Sequence, residues 1–68
     1  MNDKQVSIIY TKLIKEKIFH ELPIIENISE EDIILALQKM VHLGLAVCNE
    51  KNEWEITEKG KTIYEVMF

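Results

Sequence analysis

The sequence contains no arginine, a single cysteine, a single proline, two glycines and two histidines. Each shortage excludes something. With Cys48 alone, no internal disulfide can form. With His20 and His42 as its only histidines, the chain cannot assemble an ordinary Cys/His zinc site. Without a glycine-rich loop it has no phosphate cradle of the nucleotide-binding kind. The longest stretch free of charge runs from Met40 to Asn49, far short of the roughly 20 residues that span a bilayer. The first residues carry Asp3, Lys4 and Lys12 through an amphipathic run, which is not the pattern of a secretory leader. A free thiol and no targeting segment lead us to expect a cytoplasmic protein with no membrane association.

What remains is a chain of 68 residues, 47% apolar and 29% charged, with a net charge of −4. That is one domain, residues 1–68, near the lower limit of what a single core can stabilise. Good packing or a second copy of the chain must supply what disulfides and metals do not.

Hydrophobic periodicity divides the chain. Val6, Ile9, Tyr10, Leu13, Ile14 and Ile18 recur at steps of three and four, predicting a helix from about Lys4 to Glu21. Ile8 and Phe19 fall on its outer face with Lys12 and Lys15. Pro23 is expected to stop this helix, because it disfavours the α conformation in the residue before it. Residues Pro23 to Ile28 suit either one helical turn or an extended link. Ser29 followed by Glu30, Glu31 and Asp32 is the clearest local signal: a capping hydroxyl with three carboxylates at the positive end of a helix dipole. Ile33, Ile34, Leu37, Met40 and Val41 continue that helix to about Leu43, and Gly44 is placed to end it in a left-handed conformation. Leu45 to Cys48 and Trp54 to Thr57 read as two strands of a hairpin around the polar Asn49–Glu53. Thr57 can cap a last helix from Glu58 to about Met67, with Ile63 and Tyr64 or Met67 facing in and Gly60 permitting close backbone contact.

The order is helix, short element, capped helix, hairpin, helix: an α+β chain, mainly α. Three segments then carry a resemblance. They are Ser29 to Ile33 with Leu37, Leu43 to Ala46, and Glu55 to Gly60. The chain resembles a winged helix-turn-helix domain over essentially its whole length. Such domains leave their third helix through a Leu-x-x-x-Gly-Leu type turn and enter the last helix through Leu/Ile-Thr-x-x-Gly. The resemblance implies a short second helix compressed into Pro23–Ile28, a two-stranded wing and a C-terminal helix. The compressed second helix is similar to that of small YjcQ-like winged-helix proteins.

Enzyme chemistry finds little support, and no cofactor motif is present. Cys48 sits in an apolar strand and is expected to be a small buried hydrophobe. His20 and His42 are expected at the surface. The carboxylates at residues 30–32 fit a helix cap better than a metal site. The resemblance implies instead a small DNA-binding transcriptional regulator that binds double-stranded DNA. Its reading helix would present Gln38 to adenine, Lys39 to guanine or phosphate, and His42 to phosphate. Lys51 in the wing, with Lys12 and Lys15 on the first helix, would add phosphate contacts.

Charge distribution sets a limit on that reading. Residues 1–22 carry four lysines against three acids, residues 23–48 one against four, and residues 49–68 three against five. Positive charge is concentrated away from the reading helix, which weakens the phosphate neutralisation that drives DNA binding. Two further expectations follow. One is a homodimer, with Ile8, Phe19, Leu35, Tyr64, Met67 and Phe68 as interface candidates, because 32 apolar side chains exceed what so small a core can hold. The other is an alternative role as an acidic protein–protein interaction module without DNA affinity.

Overall fold

The computed structural model describes residues 3–67. It contains helix α1 (Asp3–Glu16), strand β1 (Ile18–Phe19), helix α2 (Glu30–His42), strands β2 (Ala46–Cys48) and β3 (Trp54–Ile56), and helix α3 (Glu58–Met67). The result is a small α+β domain, mainly helical, with a three-stranded antiparallel sheet in the order β1-β3-β2.

Helix α1 stops at Glu16, earlier than its periodicity suggests. Lys17 adopts a left-handed conformation (φ 68°), and its N–H still donates to Leu13 O at 2.7 Å. The chain then turns into β1, where Ile18 pairs with Glu55 and Phe19 with Trp54. Pro23 therefore does not end this helix. The consequence for Phe19 is decisive. On a continued helix it would face solvent with Ile8; in the strand it is only 3% exposed and belongs to the core. Burying a phenylalanine contributes roughly 1.5–3 kcal/mol, enough to offset one left-handed residue at about 1–2 kcal/mol. Phe19 is thus a core residue, not an interface candidate.

The segment Pro23–Ile28 is not a short helix either. Ile25 and Ile28 form an isolated antiparallel bridge, Ile28 N–H donates to Ile25 O at 3.2 Å, and Asn27 takes up a left-handed conformation (φ 67°). Asparagine tolerates that conformation better than most residues. The turn directs Ile25 and Ile28 toward the core while leaving Ile24 98% exposed.

Helix α2 begins as its sequence indicates. Ser29 is extended (φ −71°, ψ 156°) and its Oγ accepts from Asp32 N–H at 3.2 Å. Ile33, Ala36, Leu37 and Met40 make one fully buried stripe. The helix ends in a complete Schellman turn: Leu45 N–H donates to Met40 O at 2.8 Å and Gly44 N–H to Val41 O at 3.0 Å, with Gly44 at φ 78°.

The core brings α1 (Ile9, Tyr10, Leu13), α2 (Ile33, Leu37, Met40), Phe19 and Leu45 together. Strand β2 is an edge strand in which only Ala46 is buried. Val47 and Cys48 lie beyond the core's reach, so Cys48 is exposed rather than a buried hydrophobe.

Helix α3 is pinned to the turn after α2. Thr57 Oγ1 accepts from Gly60 N–H (3.0 Å) and donates to Gly44 O (2.7 Å), while Thr57 N–H donates to Leu45 O (3.0 Å). The Tyr10 hydroxyl donates to Gly60 O, and its ring meets Tyr64 edge-on at 5.5 Å. Burial pushes the Tyr10 phenol above its ordinary pKa, outweighing a backbone hydrogen bond from Tyr64.

Two stability predictions follow from these contacts. A Cβ at position 60 would collide with the Leu45 carbonyl and approach Ile56 Cδ1 to 2.7 Å. Gly60→Ala should therefore destabilise the fold by about 1–3 kcal/mol in chemical denaturation, despite alanine's better helix propensity. Ser29→Ala should lower stability by about 1 kcal/mol through loss of the cap. A neutral result at either position would show that the corresponding contact does not support the fold.

Candidate nucleic-acid interface

An α-helix that buries Ile33, Ala36, Leu37 and Met40 must present the remainder of its surface outward. On α2 the outward stripe is Glu31, Leu35, Gln38 and His42, at intervals of four, three and four residues, and all four are exposed. Lys39 is exposed one step around the helix, on the side that faces α1 and α3. The stripe begins acidic and ends neutral to basic. Glu30, Glu31 and Asp32 occupy the first turn, whereas Lys39 and His42 occupy the last. Leu35, 46% exposed, is an apolar contact in the middle.

Lys51 lies in the β2–β3 loop, which is organised by one side chain. Asn49 Oδ1 accepts from Lys51 N–H (2.9 Å) and Glu53 N–H (3.0 Å), and Asn49 Nδ2 donates to Glu53 Oε1 (2.9 Å). Asn52 closes the turn at φ 63°, with its N–H donating to Asn49 O at 3.0 Å. The other Glu53 oxygen, Oε2, lies 2.6 Å from His20 Nδ1. A carboxylate only accepts, so this contact places the proton on Nδ1 of the imidazole. The hydrogen bonds from His20 and then Asn49 hold the Glu53 carboxyl below the ordinary glutamate pKa. His20 therefore ties the loop carrying Lys51 to the end of β1.

Lys12 and Lys15 lie on α1 around a shallow depression shared with Ser7, Ile8 and Thr11. Lys12 is paired with Glu16 at 3.3 Å, one helical turn on. The six candidate residues thus divide among three elements: Gln38, Lys39 and His42 on α2, Lys51 on the hairpin, and Lys12 and Lys15 on α1.

Among the apolar candidates, Ile8, Leu35 and Met67 are exposed, and Tyr64 is half-buried against Tyr10. Phe68 lies outside the described residues. Both histidines are exposed, as expected. No helix among the described residues is long and apolar enough to cross a membrane.

The Asn49–Glu53–His20 network was not visible from composition, where Glu53 counts only as an acid beside Lys51. Its one local signal is an asparagine opening a polar turn, where it can bond its own backbone two residues on. The partner His20 is 33 residues away and comes close only through β1–β3 pairing. No family model, curated protein or solved structure matches the chain.

The lowered Glu53 pKa predicts a pH effect of definite sign. A carboxyl whose folded pKa lies below its unfolded value contributes stability above the unfolded value and loses it as pH falls through the folded one. Glu53→Gln should therefore be less stable than the parent at neutral pH, and the difference should shrink as the solution is acidified below the usual glutamate range. Parallel denaturation curves for the two proteins across that range would disprove the linkage.

Proposed function

We propose that this chain is a small winged-helix DNA-binding protein acting in transcriptional regulation. The observation that carries the reading is the combination of element order and sheet order. A capped helix leads through a Gly-Leu turn into a hairpin whose second strand lies at the centre of a β1-β3-β2 sheet. In a winged helix this arrangement sends the helix before the hairpin into the major groove and lays the hairpin loop along the backbone. In this chain α2 and the loop at Lys51 take those positions.

The charge on α2 dictates how it would engage. Its first turn holds three carboxylates, which repel phosphate, so the C-terminal half is the part that reads. Gln38 offers a donor and an acceptor to adenine, and Leu35 offers an apolar contact to a thymine methyl. His42 and Lys39 approach the backbone from the last turn. Lys51 adds a phosphate contact from the hairpin, its loop held by Asn49. This modest set of cations gives a weakly binding monomer with a shallow salt slope. A dimer, for which Val66 (81% exposed) at the end of α3 offers apolar surface, doubles the lysines along one duplex.

The exposed Leu35 beside Glu30 and Glu31 supports a second reading, an acidic apolar face that docks a basic protein. Charge removal separates the two. In a salt-titrated binding assay with duplex DNA, Lys51→Glu should weaken binding several-fold and flatten the salt slope by about one. Glu30→Gln with Glu31→Gln should strengthen duplex binding by relieving repulsion. Failure of the parent protein to bind any duplex at low salt would overturn the DNA reading and leave the protein-docking one.

A further inference from the structure

Strand β1 is two residues long, and the register that pairs Phe19 with Trp54 brings His20 opposite Glu53 one step further on. On the other side of β3, the pairing of Cys48 with Trp54 brings Asn49 opposite Glu53, and Asn49 N–H donates to Glu53 O at 2.9 Å. His20, Glu53 and Asn49 therefore form one cross-strand row at the end of the sheet. Side chains alternate between the faces of a sheet, and Phe19 and Trp54 pack toward the core, so this row lies on the outer face.

The loop carrying Lys51 is built around Asn49, and its link to β1 is the contact of Glu53 Oε2 with His20 Nδ1 at 2.6 Å. Glu53 uses both oxygens, because Oε1 accepts from Asn49 Nδ2 at 2.9 Å. One carboxylate thus joins a titrating ring to the side chain that shapes the loop.

The proton on the ring changes this contact. Ionised Glu53 only accepts, so His20 must present an N–H at Nδ1. An imidazolium always carries that proton and adds opposite charge. A neutral imidazole carries it in one of two tautomers and adds none. Other charged groups stand nearby. Glu16 at the end of α1 and Glu21 share a depression with His20, Glu55 lies one row along the same sheet face, and Lys51 lies on the loop beyond Glu53. Glu16 is paired with Lys12 at 3.3 Å, whereas Glu53 is in hydrogen-bond contact with the ring.

We propose that His20 is a proton-operated latch on the hairpin loop: the imidazolium clasps Glu53 and fixes the loop that carries Lys51, and loss of the proton loosens it. Imidazoles ordinarily change charge between about pH 5 and 8, and protonation of a carboxylate removes its acceptor charge at lower pH. The loop is therefore held most firmly between the glutamate and histidine ranges and loosens on either side. The latch belongs to the free protein and is independent of the DNA reading, and its test involves no nucleic acid.

The test follows the amides of Lys51, Asn52 and Glu53, which donate within the loop, by hydrogen exchange in the full chain across both ranges. Each rate is divided by that of the unfolded chain at the same pH. Protection in the parent should peak between the two ranges and fall about two- to fivefold as pH rises through the histidine range, the size expected of an exposed ion pair. His20→Gln keeps a donor for Glu53 but has no proton to lose. It should abolish the alkaline decline and leave the acid one. Glu53→Gln keeps the shape without the charge and should flatten both, with circular dichroism confirming the fold of each variant. The amides of Leu37 and Met40, in the buried stripe of α2, report global opening and should not follow the loop. A flat profile in the parent, an alkaline decline that persists in folded His20→Gln, or a decline shared equally by Leu37 and Met40 would overturn the proposal.

Discussion

The architecture depends on the contact between Gly60 and the Leu45 carbonyl. At that point α3 approaches the turn following α2 so closely that no side chain fits between them. The approach is locked from both sides. Thr57 caps α3 and bonds the turn at Gly44, Lys59 bonds Leu43 O, and the Tyr10 hydroxyl reaches Gly60 O from α1. Three helices are thereby joined through one backbone junction. A chain with no disulfide and a small core gains rigidity where its two glycines lie.

Other surface features depend on the same junction. The Schellman turn at Gly44 ends α2 with Lys39 and His42 in its last turn, and sends the chain directly into the hairpin that carries Lys51. The close approach of α3 also shapes a groove between α1, α2 and α3, since Leu45 lies at the junction while Ile63 and Met67 form its α3 wall. An acidic protein therefore has its cations distributed in two ways. Lys51 lies on the hairpin loop, whereas Lys39, in the last turn of α2, and Lys59, on α3, flank the groove.

The sheet has a further role. β3 lies between two edge strands and connects distant parts of the chain. Through it, β1 brings His20 to Glu53, and the hairpin loop acquires a tether that its own residues do not provide. The tether is mostly hydrogen bonding at a partly exposed site, so its contribution is greatest when Glu53 is ionised.

Much of the fold was determined by local sequence. The Ser29 cap with its three acids, the buried stripe of α2, the left-handed Gly44, the Thr57 cap and the tight approach at Gly60 each rest on interactions within a few residues or on the unique geometry of glycine. Those features are legible because backbone hydrogen bonding and helical periodicity are local properties. Tertiary structure decided the remainder. Phe19 belongs by periodicity to the outer face of a helix, but pairing with Trp54 draws it into a strand and buries it. Cys48 has the sequence environment of a buried strand residue, yet its strand is at an edge. The Pro23–Ile28 turn, the His20–Glu53 tether and the groove between α1, α2 and α3 are similarly set by packing. Side chains separated by tens of residues meet there only after the core has formed, and a one-dimensional pattern carries no record of which surfaces will then face each other.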